Sequence, residues 1–301
     1  MFYSPCIMAD YREEPCKSAL NRVKGMPFGW SLNPYMGCVH RCTFCYVRAY
    51  EQRAERPSGD AYGLSIRVKV NVADVLRVEL ARRSWRGDPI AIGTATDPYQ
   101  PAEGRYRLTR SCLEVLAASA NPFSIVTRGP LVVRDADVLA AASRRAPVTV
   151  SFSVPTLDEE VWRRTEPGTS PPRQRLRALT RLREAGIDAG VAVAPVLPGI
   201  SDRPDQLAAV VRAARDAGAT HVWASVVNLR PGTREHFLTH LADDWPELAA
   251  FYERLYGSRA YPPRETQERV RRLVTGVRRE QRLRPANTIL PEEPVAQLTL
   301  V

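Results

Sequence analysis

No apolar run in this chain of 301 residues approaches the ~18 residues that mark a membrane-spanning helix. The start, Met1-Phe2-Tyr3-Ser4-Pro5, lacks the basic region and apolar core of a signal peptide. The expectation is a cytoplasmic protein with no membrane partner. Lysine is scarce: Lys17, Lys24 and Lys69 are the only ones, so the net charge of +10 is carried by arginine. Such a balance reads either as a generally arginine-rich surface or as a match for an acidic partner, nucleic acid or an acidic redox protein. No basic run is dense enough to decide. Cysteine is also sparse, six in all, which excludes a disulfide scaffold. A chain of this length buries a core without staples. Internal repeats and low-complexity linkers are absent. Hydrophobic residues make up 44% and charged residues 25%, ordinary for a globular protein.

Half of the cysteines nevertheless fall in eight residues, Cys38, Cys42 and Cys45, spaced Cys-x3-Cys-x2-Cys. Thiols packed this closely in a reducing compartment usually share a metal. Cys6 and Cys16 are too far apart for a local metal motif and read as ordinary thiols. Cys112 sits at an apolar helical position between Leu108 and Leu116 and reads as core.

Residues 1–27 read as irregular. A short strand at 29–33 ends at Asn33-Pro34, a turn signal. The cysteine loop, 35–46, follows it, and a helix runs from 46 to 56. At 64–70, Ile66, Val68 and Val70 alternate with Arg67 and Lys69, an edge-strand pattern. With a helix at 73–85, it forms an insertion at about 60–86. Apolar strands at 89–93, 123–127, 148–154, 187–196 and 221–227 then alternate with helices at 105–120, 134–143, 173–185 and 204–217. Gly186 and Gly218 end the last two helices. Six strand units alternating with helices imply a parallel sheet with right-handed crossovers. The expected fold is α/β, an open, partial (βα)6 TIM-like barrel spanning 28–230. A helical extension, 231–301, follows, with helices at 233–256 and 265–284 and an irregular tail holding Pro285, Pro291 and Pro294. The arginines of the second helix, Arg271 and Arg272 among them, read as a solvated face.

Sites in parallel α/β folds form at the C-terminal ends of strands. That places the cysteine loop, Gly93-Thr94-Ala95-Thr96-Asp97, Thr127-Arg128, Ser153, Pro195 and Asn228 on one face. The three cysteines allow three readings. Their i, i+4, i+7 spacing fits an apolar helix face, which Pro34 and Gly37 oppose. A Cys3His zinc site with His40 is the second, although zinc motifs usually draw on two separated pairs. The third is a 4Fe–4S cluster with three thiolates and one open iron. An open iron can chelate the amino and carboxylate groups of a small molecule.

The aromatic Phe44 before the last cysteine, in a loop that follows a first strand, resembles the signature of the radical S-adenosylmethionine (SAM) superfamily. The string Asn33-Pro34-Tyr35-Met36-Gly37-Cys38-Val39-His40-Arg41-Cys42-Thr43-Phe44-Cys45-Tyr46-Val47-Arg48 is similar to the branch related to spore photoproduct lyase. So are Thr96-Asp97-Pro98-Tyr99-Gln100-Pro101-Ala102-Glu103, Leu108-Thr109-Arg110, Thr127-Arg128, Arg134-Asp135 and Glu166-Pro167 with Arg175. The resemblance covers 17 to about 230. It implies that Cys38, Cys42 and Cys45 hold the cluster and that Phe44 and Tyr46 flank SAM. It further implies that Thr96 and Asp97 accept from the SAM ammonium, that Arg128 meets its carboxylate, and that Ser153 meets the ribose or carboxylate. Plain alternatives stand beside these roles. Asp97-Pro98 is also a turn, Ser153 also a strand-end hydroxyl, and Arg128 also a partner for Asp135. Glu166 and Arg175 also make a structural ion pair.

The resemblance implies the chemistry as well: a low-potential flavodoxin- or ferredoxin-like donor, cleavage of SAM, and a 5′-deoxyadenosyl radical that takes hydrogen from a substrate. Two residues depart from the branch. Met36 stands where an arginine is usual, and Thr94 stands where spore photoproduct lyase carries a hydrogen-donating cysteine. A hydroxyl O–H bond is too strong for that donation, so the lyase's return step lacks its thiol here. Nucleic acid, a peptide and a small metabolite all remain open as substrates. The rival class is a nucleic-acid-binding protein with a structural zinc or an inert iron–sulfur site.

Overall fold

The computed structural model describes residues 9–26 and 28–285. Cys6 and the tail from 286 onward lie outside the described residues. Strands β1 to β10 span Asp10–Glu14, Leu20–Arg22, Trp30–Leu32, Tyr35–Met36, Ser65–Lys69, Ile90–Ile92, Phe123–Thr127, Val148–Ser153, Asp188–Val196 and Val222–Val226. Helices α1 to α11 span Val47–Arg53, Val72–Leu80, Ala102–Tyr106, Leu108–Ala118, Ala136–Ser143, Glu159–Thr165, Pro172–Glu184, Pro204–Asp216, Thr233–Asp244, Ala249–Tyr256 and Arg264–Glu280.

The main sheet has the order β10-β9-β8-β7-β6-β3-β2. Its strands from β3 through β10 run parallel, and β2 joins β3 antiparallel. The strands follow one another in the sheet as they do in the chain, with helices in between. The ends, β2 and β10, do not pair with each other. This is an open, partial (βα)6 barrel, as expected. The strands form because β-branched and aromatic residues with both faces covered suit a parallel sheet. Ile125, Val150, Phe152, Val191 and Val193 are all fully buried. In α8, Leu207, Val210, Val211 and Ala214 make one buried stripe at helical spacing. Each such Leu or Val contributes about 1.5–3 kcal/mol by leaving water. Gly186 and Gly218 follow α7 and α8 at positive φ, which favours glycine just past a helix end.

Five expectations need correction. The segment 1–27 is not irregular throughout: β1 pairs parallel with β5, and β2 edges the main sheet. The charges of Asp10–Glu14 hide a strand that pairs along its length with β5 and sets Tyr11 against Tyr106. The stretch at 64–70 is no edge, because β5 is the middle strand of a three-stranded sheet, β1-β5-β4. The helix expected at 105–120 is two helices, divided where Arg107 takes a left-handed φ of 53°. The helix expected at 233–256 breaks at Trp245-Pro246 into α9 and α10, since proline lacks the N–H and restricts the preceding residue. Helix α6 appears where no helix was expected, capped by Asp158, whose carboxylate accepts from the Glu160 and Val161 N–H groups.

Helices α9 and α10 do not stand apart from the barrel. Phe237, Leu241, Tyr252 and Tyr256 share an apolar cluster with Leu197, Ile200 and Leu229, and with Cys42 and Phe44 of the cysteine loop. Helix α11 returns to pack on α8 and β10.

Candidate active site

The cysteine loop leaves the C-terminal end of β3 and is held from several sides. Thr96 Oγ1 donates to the Gly37 carbonyl at 2.6 Å. Gln100 Nε2 donates to the same carbonyl at 3.1 Å and to Thr96 Oγ1 at 2.8 Å, and its Oε1 accepts from the Val39 N–H at 3.1 Å. On another side, the Thr43 N–H donates to the Thr165 carbonyl and the Gly168 N–H to the His40 carbonyl. Gly168 leaves no room for more, because a Cβ there would stand 2.4 Å from the Val39 oxygen. Arg48, buried on the Tyr62 ring at 4.6 Å, donates to the Cys42, Arg41, Ser58 and Gly59 carbonyls. Thr233 Oγ1, at the start of α9, donates to the Cys45 carbonyl. Backbone carbonyls fixed this thoroughly hold the three side chains in place.

Cys38 and Cys42 are buried, Cys45 is half-buried, and all three are free thiols. All three sit on the one loop that follows β3. Burial pushes the Cys42 thiol well above its usual value, with Arg128 pulling the other way. Burial and then Cys38 raise Cys45, opposed by the Tyr62 hydroxyl, which lies 3.7 Å from Cys45 Sγ. Thiols that resist ionisation when bare ionise on meeting a cation. By donor type and burial, the loop fits a cysteine-ligated cluster.

The strand-end residues form a linked polar cluster beside the loop. Asp97 is buried; one oxygen accepts from the Tyr99 N–H and Thr127 Oγ1, the other from the Arg128 N–H. His40 Nδ1 lies 3.4 Å from that second oxygen. Burial opposes ionisation of Asp97, but His40 and these hydrogen bonds outweigh it and bring the carboxyl to about 2. Burial likewise works against a charged His40, and Cys38 with Asp97 overcomes it, lifting the imidazole to about 10. Asp97 thus ties its own turn to the end of β7 and to His40 of the cysteine loop, with a partner on each oxygen.

Arg128 pairs with Glu166 through Nε, donates through Nη2 to the Ala194 carbonyl at 3.3 Å, and lies over the Phe44 ring at 5.6 Å. Asp135, its alternative partner, pairs with Arg110 and Arg134 instead. Glu166 is also bound by the fully buried Arg175, at 3.1 Å. Arg175 donates to the Ser153, Ser170 and Thr169 oxygens as well. Burial opposes the Glu166 charge, but Arg175 and then Arg128 hold its carboxyl below the usual range. Two guanidiniums share one carboxylate, which leaves one positive charge in excess. Among the described residues, Nη1 of Arg128 donates to nothing. Ser153 Oγ donates to the Ala194 carbonyl at 3.2 Å, and the Tyr46 hydroxyl donates to the Thr94 carbonyl. Cys112 is buried in the main core. Cys16 accompanies that core at its edge.

The structure thus gathers Phe44, Tyr46, Thr96, Asp97, Arg128 and Ser153 around the loop. It also brings in Gln100, Arg48, Tyr62 and Thr233, to which sequence reasoning gave no role. Gln100 lies four residues past Thr96 on a tight turn, the one local signal that it reaches the same carbonyl.

A family model described as "Radical SAM superfamily" matches residues 32–211. An uncharacterized protein of Mycobacterium tuberculosis is 40% identical over 294 residues, covering 97% of this chain and 86% of the relative. The radical SAM Nalpha-GlyT isomerase of Pseudomonas phage M6 is 29% identical over 176 residues, 57% of this chain and 34% of that protein. Among solved structures, spore photoproduct lyase complexed with dinucleoside spore photoproduct matches with a TM-score of 0.69 at 14% identity, covering 90% of this chain and 79% of the lyase. At that identity the likeness speaks for the fold.

Proposed function

The chain belongs to the radical SAM superfamily, and from that premise we propose that Cys38, Cys42 and Cys45 hold its 4Fe–4S cluster, with SAM bound beside Arg128. The observation that carries the assignment is the loop itself: three free thiols within eight residues, braced by side chains from several elements. Members of this superfamily use the cluster and SAM, and the enzyme cleaves SAM to start radical chemistry on a substrate still to be named. When bound, the cluster supplies the electron that splits SAM into methionine and a 5′-deoxyadenosyl radical.

The chain's own residues bind and orient. Arg128 has an excess positive charge and an unengaged Nη1 donor, which suit the SAM carboxylate. Its guanidinium lies over Phe44, and the Tyr46 hydroxyl reaches the Thr94 carbonyl just past β6; these rings would flank the methionyl and adenine parts. Ser153, at the end of β8, would face the ribose or carboxylate. Thr96 acts one step back, by holding the Gly37 carbonyl. Asp97 positions the Arg128 backbone and His40. The apolar cluster of α9 and α10 keeps water from Cys42 and Phe44.

For the substrate we favour nucleic acid. The net charge of +10 suits a polyanion, the barrel is open at its edge, and the similar fold of spore photoproduct lyase is solved with a dinucleoside. The reductant would be an acidic flavodoxin- or ferredoxin-like protein, on the same charge argument. Iron and sulfide analysis tests the cluster assignment. Reconstituted protein should carry about four of each per chain, and single Cys38→Ala, Cys42→Ala and Cys45→Ala variants should each lose most of both. Full iron and sulfide in all three variants would overturn it.

A further inference from the structure

Among the described residues, one trio of metal-ligating side chains does bring its donor atoms within 4.8 Å of one another: Asp60, His236 and His240. None of the three belongs to the cysteine loop. His236 and His240 stand one turn apart on α9, with ring centroids 4.5 Å apart and planes at 71°. That i, i+4 spacing puts both imidazoles on one helix face, the arrangement by which helices present paired histidines to zinc. Asp60 comes from the loop between α1 and β5, with Oδ1 at 3.6 Å from His236 Nδ1, beyond hydrogen-bond length. Neither imidazole makes a hydrogen bond to another described residue.

The Asp60 side chain is 92% exposed and that of His236 only 8%, so the site opens to solvent on the carboxylate side. The backbone behind it is fixed. Arg41 Nη2 donates to the Asp60 carbonyl at 2.7 Å, and Arg48 pins the Ser58 and Gly59 carbonyls at 2.8 and 2.7 Å. A cavity of about 260 Å³, lined by Gln52, Ser58, Asp60, Glu235, His236 and Thr239, adjoins the trio and leaves room for water ligands.

We propose that Asp60, His236 and His240 form a second metal site, distinct from the cysteine loop, that binds one zinc-class divalent ion. Two imidazole nitrogens and one carboxylate oxygen select borderline transition metals, with the remaining position taken by water. Magnesium and calcium prefer all-oxygen shells. The ion ties the loop at 58–63 to α9. Both already touch the cluster loop, through Arg41, Arg48 and Thr233. Occupancy therefore fastens the C-terminal extension onto the barrel. The site stands whether or not the cysteines carry a cluster.

The test is metal analysis of anaerobically reconstituted, iron-loaded enzyme dialysed against Zn²⁺, with iron measured in the same samples. Wild type should retain about one zinc per chain with its iron unchanged. His240→Ala and Asp60→Asn, both changes at accessible positions, should cut zinc retention at least tenfold and leave the iron in place. Thr239→Ala, on the same cavity but not a ligand, should retain zinc as wild type does. In the Cys42→Ala chain, zinc retention should persist and still depend on His240. Wild type with less than a tenth of a zinc per chain, or equal zinc in His240→Ala, overturns the proposal. Zinc that disappears with Cys42→Ala but not with His240→Ala also overturns it, and would assign the ion to the cysteines.

Discussion

Thr96 shows how a single hydroxyl can support a site without touching the chemistry. It donates to Gly37 and accepts from Gln100, and both partners are themselves buried or bound. Thr96→Val keeps the shape and removes both bonds. It should cost about 1–3 kcal/mol and lower the melting temperature by roughly 2–4 °C per kcal/mol, read by thermal unfolding. The two arginines on Glu166 should separate in their effects. Arg175 is buried and all its donors are in use, so Arg175→Met should destabilise by about 3–5 kcal/mol, read by urea unfolding. Arg128→Met leaves Glu166 with Arg175 and removes the donor assigned to SAM. It should weaken SAM affinity about 10- to 100-fold, the worth of a charge-assisted hydrogen bond, read by equilibrium dialysis. If Arg175→Met weakens SAM binding and Arg128→Met does not, the assignment is reversed. The sequence puts these residues at strand ends, where sites form. It does not say which oxygen is already taken: Asp97 looks free in a string of letters and has a partner on each oxygen in the fold.

At the scale of elements, the strands and helices from β6 to β10 are legible because their apolar periodicity and their glycine stops agree. Three features are not. Arginine gives no sign of a left-handed turn, so Arg107 hides the break between α3 and α4. Helix α6 has few apolar residues to mark a stripe; only its Asp158 cap, followed by two glutamates, signals a start. Strand β1 is charged and gains its order from β5. Helix α6 matters to the site because it delivers Thr165, Glu166 and Gly168 to the cysteine loop. Gly168→Ala should push that loop away from its seat, since the new methyl would meet the Val39 oxygen and His40 Cα at 2.4 and 2.8 Å. The expected outcome is at least a twofold loss of iron per chain after reconstitution, with the secondary structure retained by circular dichroism. Unchanged iron would mean that the loop has slack the geometry denies.

For the whole molecule, charge is the dominant property outside the site. Helix α11 buries Val270 and Val274 and leaves Arg271 and Arg272 exposed. If the surface serves nucleic acid, DNA retention should fall steeply with salt, by roughly one power of concentration for each phosphate neutralised. Arg271→Ala/Arg272→Ala should then lower that slope by about 2, read by binding titrations at several salt concentrations. A slope that does not change would remove this helix from the interface and favour the electron donor as the acidic partner. The molecule also joins its C-terminal extension to the cysteine loop, through a Thr233 hydrogen bond and the apolar cluster that holds Phe237 and Tyr256. The central claim is that this site cleaves SAM. It is tested most directly by incubating iron-loaded protein anaerobically with SAM and a strong reductant and measuring 5′-deoxyadenosine. The account predicts that wild type forms it and that Cys42→Ala does not. Wild type with a full cluster that forms none, or Cys42→Ala that forms as much, would contradict it.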